Sequence, residues 1–266
     1  MSHQGILRNP DLAERIGLPP LDGELFEELR YLDNSRISNA EFLKALRHIS
    51  YFTPQDEKVE RRINYAALDV EELGSVYESL LDLEPRFKHE AGRLKFYFAE
   101  GTERKSTGSY YTPPQLVREL IESALVPVME ERLAGAKTDR DKVDALLSIR
   151  ICDPACGSGH FLLAAARRLG RGIASIETHS DEPPPEAVRA AVRRVISHCI
   201  YGVDKNPLAV DLCKVALWIE GHDPTKPLTF LDHHIKCGDS LIGVFDLSVL
   251  KDGIPDDAFK PLTDDD

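Results

Sequence analysis

The chain has 266 residues, more than the roughly 100–200 of a usual domain, so it accommodates one large domain or two smaller ones. With 42% hydrophobic and 29% charged residues, 17 glycines and 17 prolines, its composition excludes collagen-like, coiled-coil and fully disordered classes. The formal net charge of −12 argues against a simple basic clamp for nucleic acid, but the charge is uneven: Asp+Glu against Lys+Arg runs 19 to 13 over residues 1–100, 13 to 14 over 101–200 and 13 to 6 over 201–266. Phosphate contacts are made by local basic patches, so a DNA partner stays open.

No run of 18 apolar residues occurs, and the start MSHQGILRNPDLAERIG lacks a basic-then-apolar leader. The expectation is a cytoplasmic chain with no membrane partner. Cys152, Cys156, Cys199, Cys213 and Cys237 form no C-x-x-C pair, which predicts reduced thiols and no zinc site.

Taken in chain order, residues 1 to about 82 read as helical. Leu25, Leu29 and Leu32, then Phe42, Leu43, Leu46 and Ile49, recur at the spacing of amphipathic helices. Asp69 and Glu72 form a capping-box pattern ahead of Leu73, Val76, Tyr77, Leu80 and Leu81. RFKHEAGRLKFYFAE reads as a short hairpin turning near Ala91-Gly92. GTERKSTGSYYTPP is loop-like and leads into a helix over PQLVRELIESALVPVMEERLA, with Thr112 as its cap, Pro113 at the first position and Gln115 completing a capping box.

From residue 147 strands and helices alternate: LSIRIC, GHFLLAAARRLG, CIYGVD, NPLAVDLCKVALWIE, HHIKCGD, with the Pro-punctuated insertion SDEPPPEAVRAAVRRVISH ending in a helix. Alternation of this kind predicts a parallel, doubly wound sheet. The first strand runs through Gly157-Ser158-Gly159 into a helix, a turn that lets backbone approach a ligand at the carboxyl end of a strand. Leu162 stands where a dinucleotide fingerprint needs Gly or Ala, no Gly-Lys-Ser/Thr is present, and Cys156 and His160 flank Ser158 where a nucleophile elbow needs glycines. The loop suits a nucleotide-like ligand without a pyrophosphate.

DPACGSGHFL resembles the cofactor loop of the gamma-class S-adenosylmethionine-dependent DNA adenine-N6 methyltransferases found in type I and type IIG restriction and modification enzymes. GSYYTPPQLV resembles their tenth motif, and YGVDKNPLAVDLCKVALW and IKCGDSLIG their second and third, so the likeness covers about residues 100–243. EELGSVYESLLDLEP is similar to a helix that precedes the tenth motif in large phage-defence methyltransferases. The resemblance implies an α/β chain: a helical N-terminal domain with a short hairpin over residues 1–100, then the first, cofactor-binding half of a Rossmann-like methyltransferase sheet over 101–266.

It also implies which residues hold S-adenosylmethionine. Asp153, Pro154, Ala155, Cys156, Gly157, Ser158 and Gly159, with Phe161, would surround the methionine part. Asp204, with Lys205 and Asn206 after it, would accept both ribose hydroxyls; as an alternative it merely caps the next helix. Asp239, with Ser240 and Leu241, would meet the adenine amino group, or else only form a turn. The family often has an aromatic residue after this aspartate, and with Ser240 there the stacking would fall to Val203, Lys205 or Leu241. Thr107, Gly108, Tyr110, Tyr111, Thr112 and Pro113 would close over the methionine carboxylate, the alternative being plain packing of the tyrosine pair.

Family members hold an extruded adenine with an Asn/Asp-Pro-Pro-Tyr/Phe tetrapeptide. TPPQ, LPPL and EPPP lack its flanking residues, and Asn206-Pro207-Leu208 lacks the second proline. The expectation is therefore that the fourth to seventh strands, the catalytic loop and any target-recognition domain lie outside this sequence. The implied function is site-specific adenine-N6 methylation of double-stranded DNA in a restriction-modification or phage-defence system, with the remaining methyltransferase and target-recognition regions, and restriction or defence subunits, as partners. A protein-glutamine or RNA methyltransferase and a non-catalytic interaction module of a defence complex are the alternatives.

Overall fold

The computed structural model of the chain describes residues 36–54, 58–65, 83–90, 92–100, 112–221 and 231–242, with positions 72, 74, 76, 248, 251 and 253. Helix α1 (Asn39–Ser50) begins where Ser38 accepts the Glu41 amide at 3.2 Å. The region read as wholly helical also holds β1 (Tyr51–Phe52), paired antiparallel with β2 (Arg61–Arg62). The hairpin forms as expected but is longer: β3 (Leu83–Glu90) pairs along its whole length with β4 (Arg93–Glu100). Gly92 turns it at φ +76°. Phe87, Phe96 and Phe98 stack edge-to-face along one side, with centroids 5.5 and 5.0 Å apart. Glu72, Gly74 and Val76 are helical, while the Asp69 cap expected for that helix lies outside the described residues.

The next helix starts one residue later than expected. Pro113, not Thr112, is the N-cap of α2 (Pro114–Leu120), without any side-chain cap bond. The reason is local: a residue before proline is pushed out of the helical region, and Pro113 (φ −55°, ψ 137°) precedes Pro114. The T-x-x-Q capping box is therefore not formed. Nor is the helix regular, because a π-turn (Ile121–Leu125) separates α2 from α3 (Val126–Ala134), with the Val126 amide donating to Ile121 O. Pro127 has no N–H to continue the ordinary ladder, and the slip to an i→i+5 bond just before it absorbs that loss.

Helix α4 (Asp139–Leu147) was not expected at all, although Thr138 and Asp141 make a reciprocal capping box. It takes Leu147 from the expected strand LSIRIC, and Ile149 sits in a turn, its amide bonded to Leu146 O. What remains is β5 (Ile151–Asp153). Beyond it α5 (His160–Thr178) runs well past Gly170, and α6 (Pro185–Cys199), β6 (Ile200–Asp204) and α7 (Pro207–Glu220) follow as expected. His233 and His234 belong to the short α8 (Leu231–His234), leaving β7 (Ile235–Cys237) as the third strand.

The three strands form a parallel sheet in the order β5-β6-β7. Its core is aliphatic: Leu162, Leu169 and Ile173 of α5, Val195 and Ile196 of α6, Ile200 of β6 and Leu217 of α7 are all fully buried. Each such side chain contributes about 1.5–3 kcal/mol relative to exposure. Helices α5 and α6 meet closely because Gly170 faces the Val192 backbone. Among the described residues no helix is long and apolar enough to cross a membrane.

Candidate functional site

Parallel strands deliver their carboxyl ends to one edge of the sheet, and here that edge is acidic. Asp153 ends β5, Asp204 ends β6, and Asp239 lies two residues past β7. Between the first two runs the loop Pro154–Gly159, in which Gly157 (φ +52°) and Gly159 (φ +92°) adopt left-handed backbone that favours glycine.

Asp204 organises this loop. Its Oδ2 accepts the Gly157 amide at 2.8 Å and its Oδ1 the Asn206 amide at 2.9 Å. The cap of α7 is a different residue, Asn206, whose side chain accepts from Leu208 N at 3.0 Å. Asp204 therefore does not serve as the helix cap. A carboxylate offers about four acceptor positions, so two remain after these bonds. The neighbouring backbone joins in, with the Cys156 amide donating to Val203 O and the Gly238 amide to Asp204 O, both at 2.9 Å.

Asp153 accepts the Ala155 amide at 3.0 Å. Burial holds its pKa above the ordinary carboxylate value, the Ala155 bond opposes that, and the negative charge of Asp204 adds to it. Asp239 is shifted the other way: the Leu241 and Ile242 amides, at 3.0 and 3.1 Å, and then Lys205 at 3.1 Å lower its pKa. The turn-forming role is thus real for Asp239, and one oxygen carries both amide bonds. Ser240 ties this turn to the glycine loop by donating to Pro154 O at 2.7 Å. Leu241 is 93% exposed beside it, an apolar surface with no protein neighbour covering it among the described residues.

Of the other site candidates, Cys156 and Ser158 are buried members of the loop itself, and Phe161 is half-buried at the start of α5. Thr107, Gly108, Tyr110 and Tyr111 lie outside the described residues, and Thr112 and Pro113 are the described end of that motif. Thr112 and His160 line a common cleft of about 380 Å³ between α2 and α5, so the end of the upstream motif and the start of the glycine-loop helix share one cleft. Arg118, Arg167, Arg168 and Arg171 also line it, a local basic patch on an acidic chain that no motif had flagged. The signal lies in the i, i+1, i+4 spacing of the three α5 arginines, which puts Arg171 one turn from both Arg167 and Arg168. Among the described residues no group of His, Cys, Asp and Glu is arranged to hold a metal ion.

The N-6 DNA methylase family profile matches residues 71–242, more than half of the chain. The chain belongs to this family. Its match begins just before Gly74 and ends just after the Asp239 turn, so it takes in the glycine loop and all three aspartates. RM.MjaORFECS2P of Methanocaldococcus jannaschii is 26% identical over 86% of the chain. The type II restriction enzyme and methyltransferase RM.Eco57I of Escherichia coli is 27% identical over 64%, and the adenine-specific methyltransferase PglX of Streptomyces coelicolor 33% over 35%. The chain spans only 21%, 18% and 8% of these relatives. In fold it is similar to the type IIL restriction-modification enzyme MmeI, solved in complex with DNA, with a TM-score of 0.51 and 17% identity over 91% of the chain and 30% of that protein. This likeness fits the parallel β5-β6-β7 layer as part of a Rossmann-like methyltransferase sheet. Membership of the family implies methyl-donor chemistry.

Proposed function

We propose that the chain is the S-adenosylmethionine-binding portion of a DNA adenine-N6 methyltransferase of a restriction-modification or phage-defence system. The observation that carries this reading is the site edge itself. Three adjacent parallel strands each bring an aspartate to their carboxyl ends around a loop in which Gly157 has open space where a side chain would be.

The residues fit the cofactor. The free acceptor positions of Asp204 suit two ribose hydroxyls, in charge-assisted bonds about twice as strong as neutral ones. Asp239 keeps a second oxygen, shared with Lys205, that can accept from an adenine amino group, and exposed Leu241 supplies an apolar surface for the ring. Asp153 is a carboxylate whose ionised form is disfavoured by burial, so a ligand ammonium beside it would be attracted strongly. Pro154, Ala155, Cys156, Ser158, Gly159 and Phe161 would surround the methionine part, Asn206 and Ser240 would fix the turns beside it, and Thr107, Gly108, Tyr110, Tyr111, Thr112 and Pro113 would cover its carboxylate. When bound, the cofactor supplies an electrophilic methyl group.

We assign DNA as the methyl acceptor of the whole protein by the family's description and the names of its relatives. In that protein residues 1–100 would form an N-terminal domain of helices and a hairpin, and 101–266 the cofactor-binding half. No Asn/Asp-Pro-Pro-Tyr/Phe tetrapeptide occurs in these 266 residues. The chain alone is therefore expected to gain thermal stability with S-adenosylmethionine while transferring no radiolabelled methyl group to mixed-sequence DNA. A scaffold without a cofactor site would show no thermal shift, and methyl transfer by the pure chain would overturn the assignment of the catalytic group to other residues.

A further inference from the structure

The glycine loop is gripped from three directions. Asp204 holds the Gly157 amide from β6. From α7, Cys213 approaches so closely that a side chain on Gly159 would come within 2.8 Å of its Sγ. The third contact comes from more than 80 residues upstream. Gly74 is buried, and a Cβ built on it would lie 2.8 Å from Ser158 Oγ, 3.2 Å from Ser158 Cβ and 3.1 Å from His160 Cε1. These two side chains are themselves joined, Ser158 Oγ to His160 Nδ1 at 3.1 Å.

We propose that Gly74 is a positioning residue for the cofactor loop: its own helical backbone lies directly against Ser158 and His160, holds the loop in its ligand-receiving shape, and couples the N-terminal region to the cofactor site. The role rests on the cofactor reading above. Glycine in helical backbone costs roughly 1 kcal/mol against alanine, a cost that close backbone approach explains here. Any larger residue must push on the loop. Rotating Ser158 away would relieve only the Oγ contact and would break its bond to His160, while the 3.2 and 3.1 Å contacts would remain. Because the pressed residues carry the loop and the first turn of α5, displacement falls on the ligand site rather than on a distant core. The consequence is directional: whatever moves the segment around Gly74 in the whole protein changes cofactor affinity.

The test uses the 266-residue chain, with calorimetric titration of S-adenosylmethionine and hydrogen exchange of the Gly157–His160 amides without cofactor. Gly74→Val is expected to weaken binding on the order of tenfold, the low end of what overpacking does to an equilibrium, and to speed exchange at the loop. Gly74→Ala should do so less. Gly135→Ala, where nothing lies within 4 Å of the added carbon, should leave both unchanged. If Gly74→Val fails to fold, Gly74→Ala gives the decision through a partial rescue: the affinity it costs in a Ser158→Ala background should be smaller than the affinity it costs in the parent, because the closest contact is gone while the Ser158 Cβ and His160 Cε1 contacts remain. Loop exchange and affinity equal to the parent in the Gly74 variants would overturn the proposal. A parent chain that takes up no cofactor would instead overturn the cofactor reading, and loop exchange in the Gly74 variants would still decide whether the brace exists.

Discussion

Asp153 and Asp239 stand at the same edge of the sheet, yet their surroundings push their carboxyl groups in opposite directions. For Asp153 folding favours the proton, so its stabilising contribution is present below the ordinary value of 3.8 and is lost as pH rises through its raised pKa. For Asp239 the contribution is present above 3.8 and is lost as pH falls through its lowered pKa. At neutral pH Asp153 is thus the residue held against its own preference, the pattern expected where a carboxylate awaits a cationic ligand. The thiols divide just as sharply. Cys199 is buried and its pKa is pushed up to about 11, and a hydrogen bond from the Cys213 thiol to Cys156, together with burial, raises Cys213. Cys152 and Cys237 are exposed. Alkylation at pH 7.5, read by peptide mass, is expected to label Cys152 and Cys237 first and to leave Cys199 and Cys213 unlabelled until the chain is denatured; early labelling of Cys199 would contradict its placement in the core. The three aspartates were legible in the sequence because alternating strands and helices fix where strands end. Gly74 was not, because a glycine in a helical stripe shows that something is close without showing what.

At the scale of elements, the sequence marked helices by period and caps, and it failed where proline or a short apolar run blurred those signals. Thr112 has every attribute of a cap, but Pro114 forbids helical backbone at Pro113 and moves the start. LSIRIC is apolar throughout, and such a run does not separate a strand from the buried end of a helix. Leu146 and Ile149 are both buried, but in a helix end and a turn. The packing of α5 was beyond reach for the same reason, since neighbours are set by tertiary structure. Gly170 and Gly172 illustrate this on one helix. A Cβ on Gly170 would lie 2.4 Å from Val192 Cγ2 and 2.9 Å from Val192 N and Cα, and backbone cannot step aside. On Gly172 it would meet the flexible end of Met129 at 3.2 Å. Gly170→Ala is expected to cost about 3 kcal/mol in urea unfolding, whereas Gly172→Ala should be neutral or stabilise by up to about 1 kcal/mol through helix propensity. Equal effects would show that α5 and α6 are not this close.

Across the molecule, the sheet, the glycine loop and the N-terminal segment form one arrangement in which distant parts of the chain converge on a single edge. Gly74, Asp153, Asp204 and Asp239 are dispersed over more than 160 residues, and Asp204 is the one whose bonds hold both the loop and the turn after β6. The central claim is that this edge binds S-adenosylmethionine through that carboxylate. Calorimetric titration of the cofactor into the parent chain and into Asp204→Ala tests it most directly. The expected result is saturable one-to-one binding by the parent and a loss of about 10 to 100-fold in the variant, the equivalent of about 1.5–3 kcal/mol for hydrogen bonds to a charged group, with a cooperative melting transition retained. No binding by the folded parent, or undiminished binding by Asp204→Ala, would contradict it.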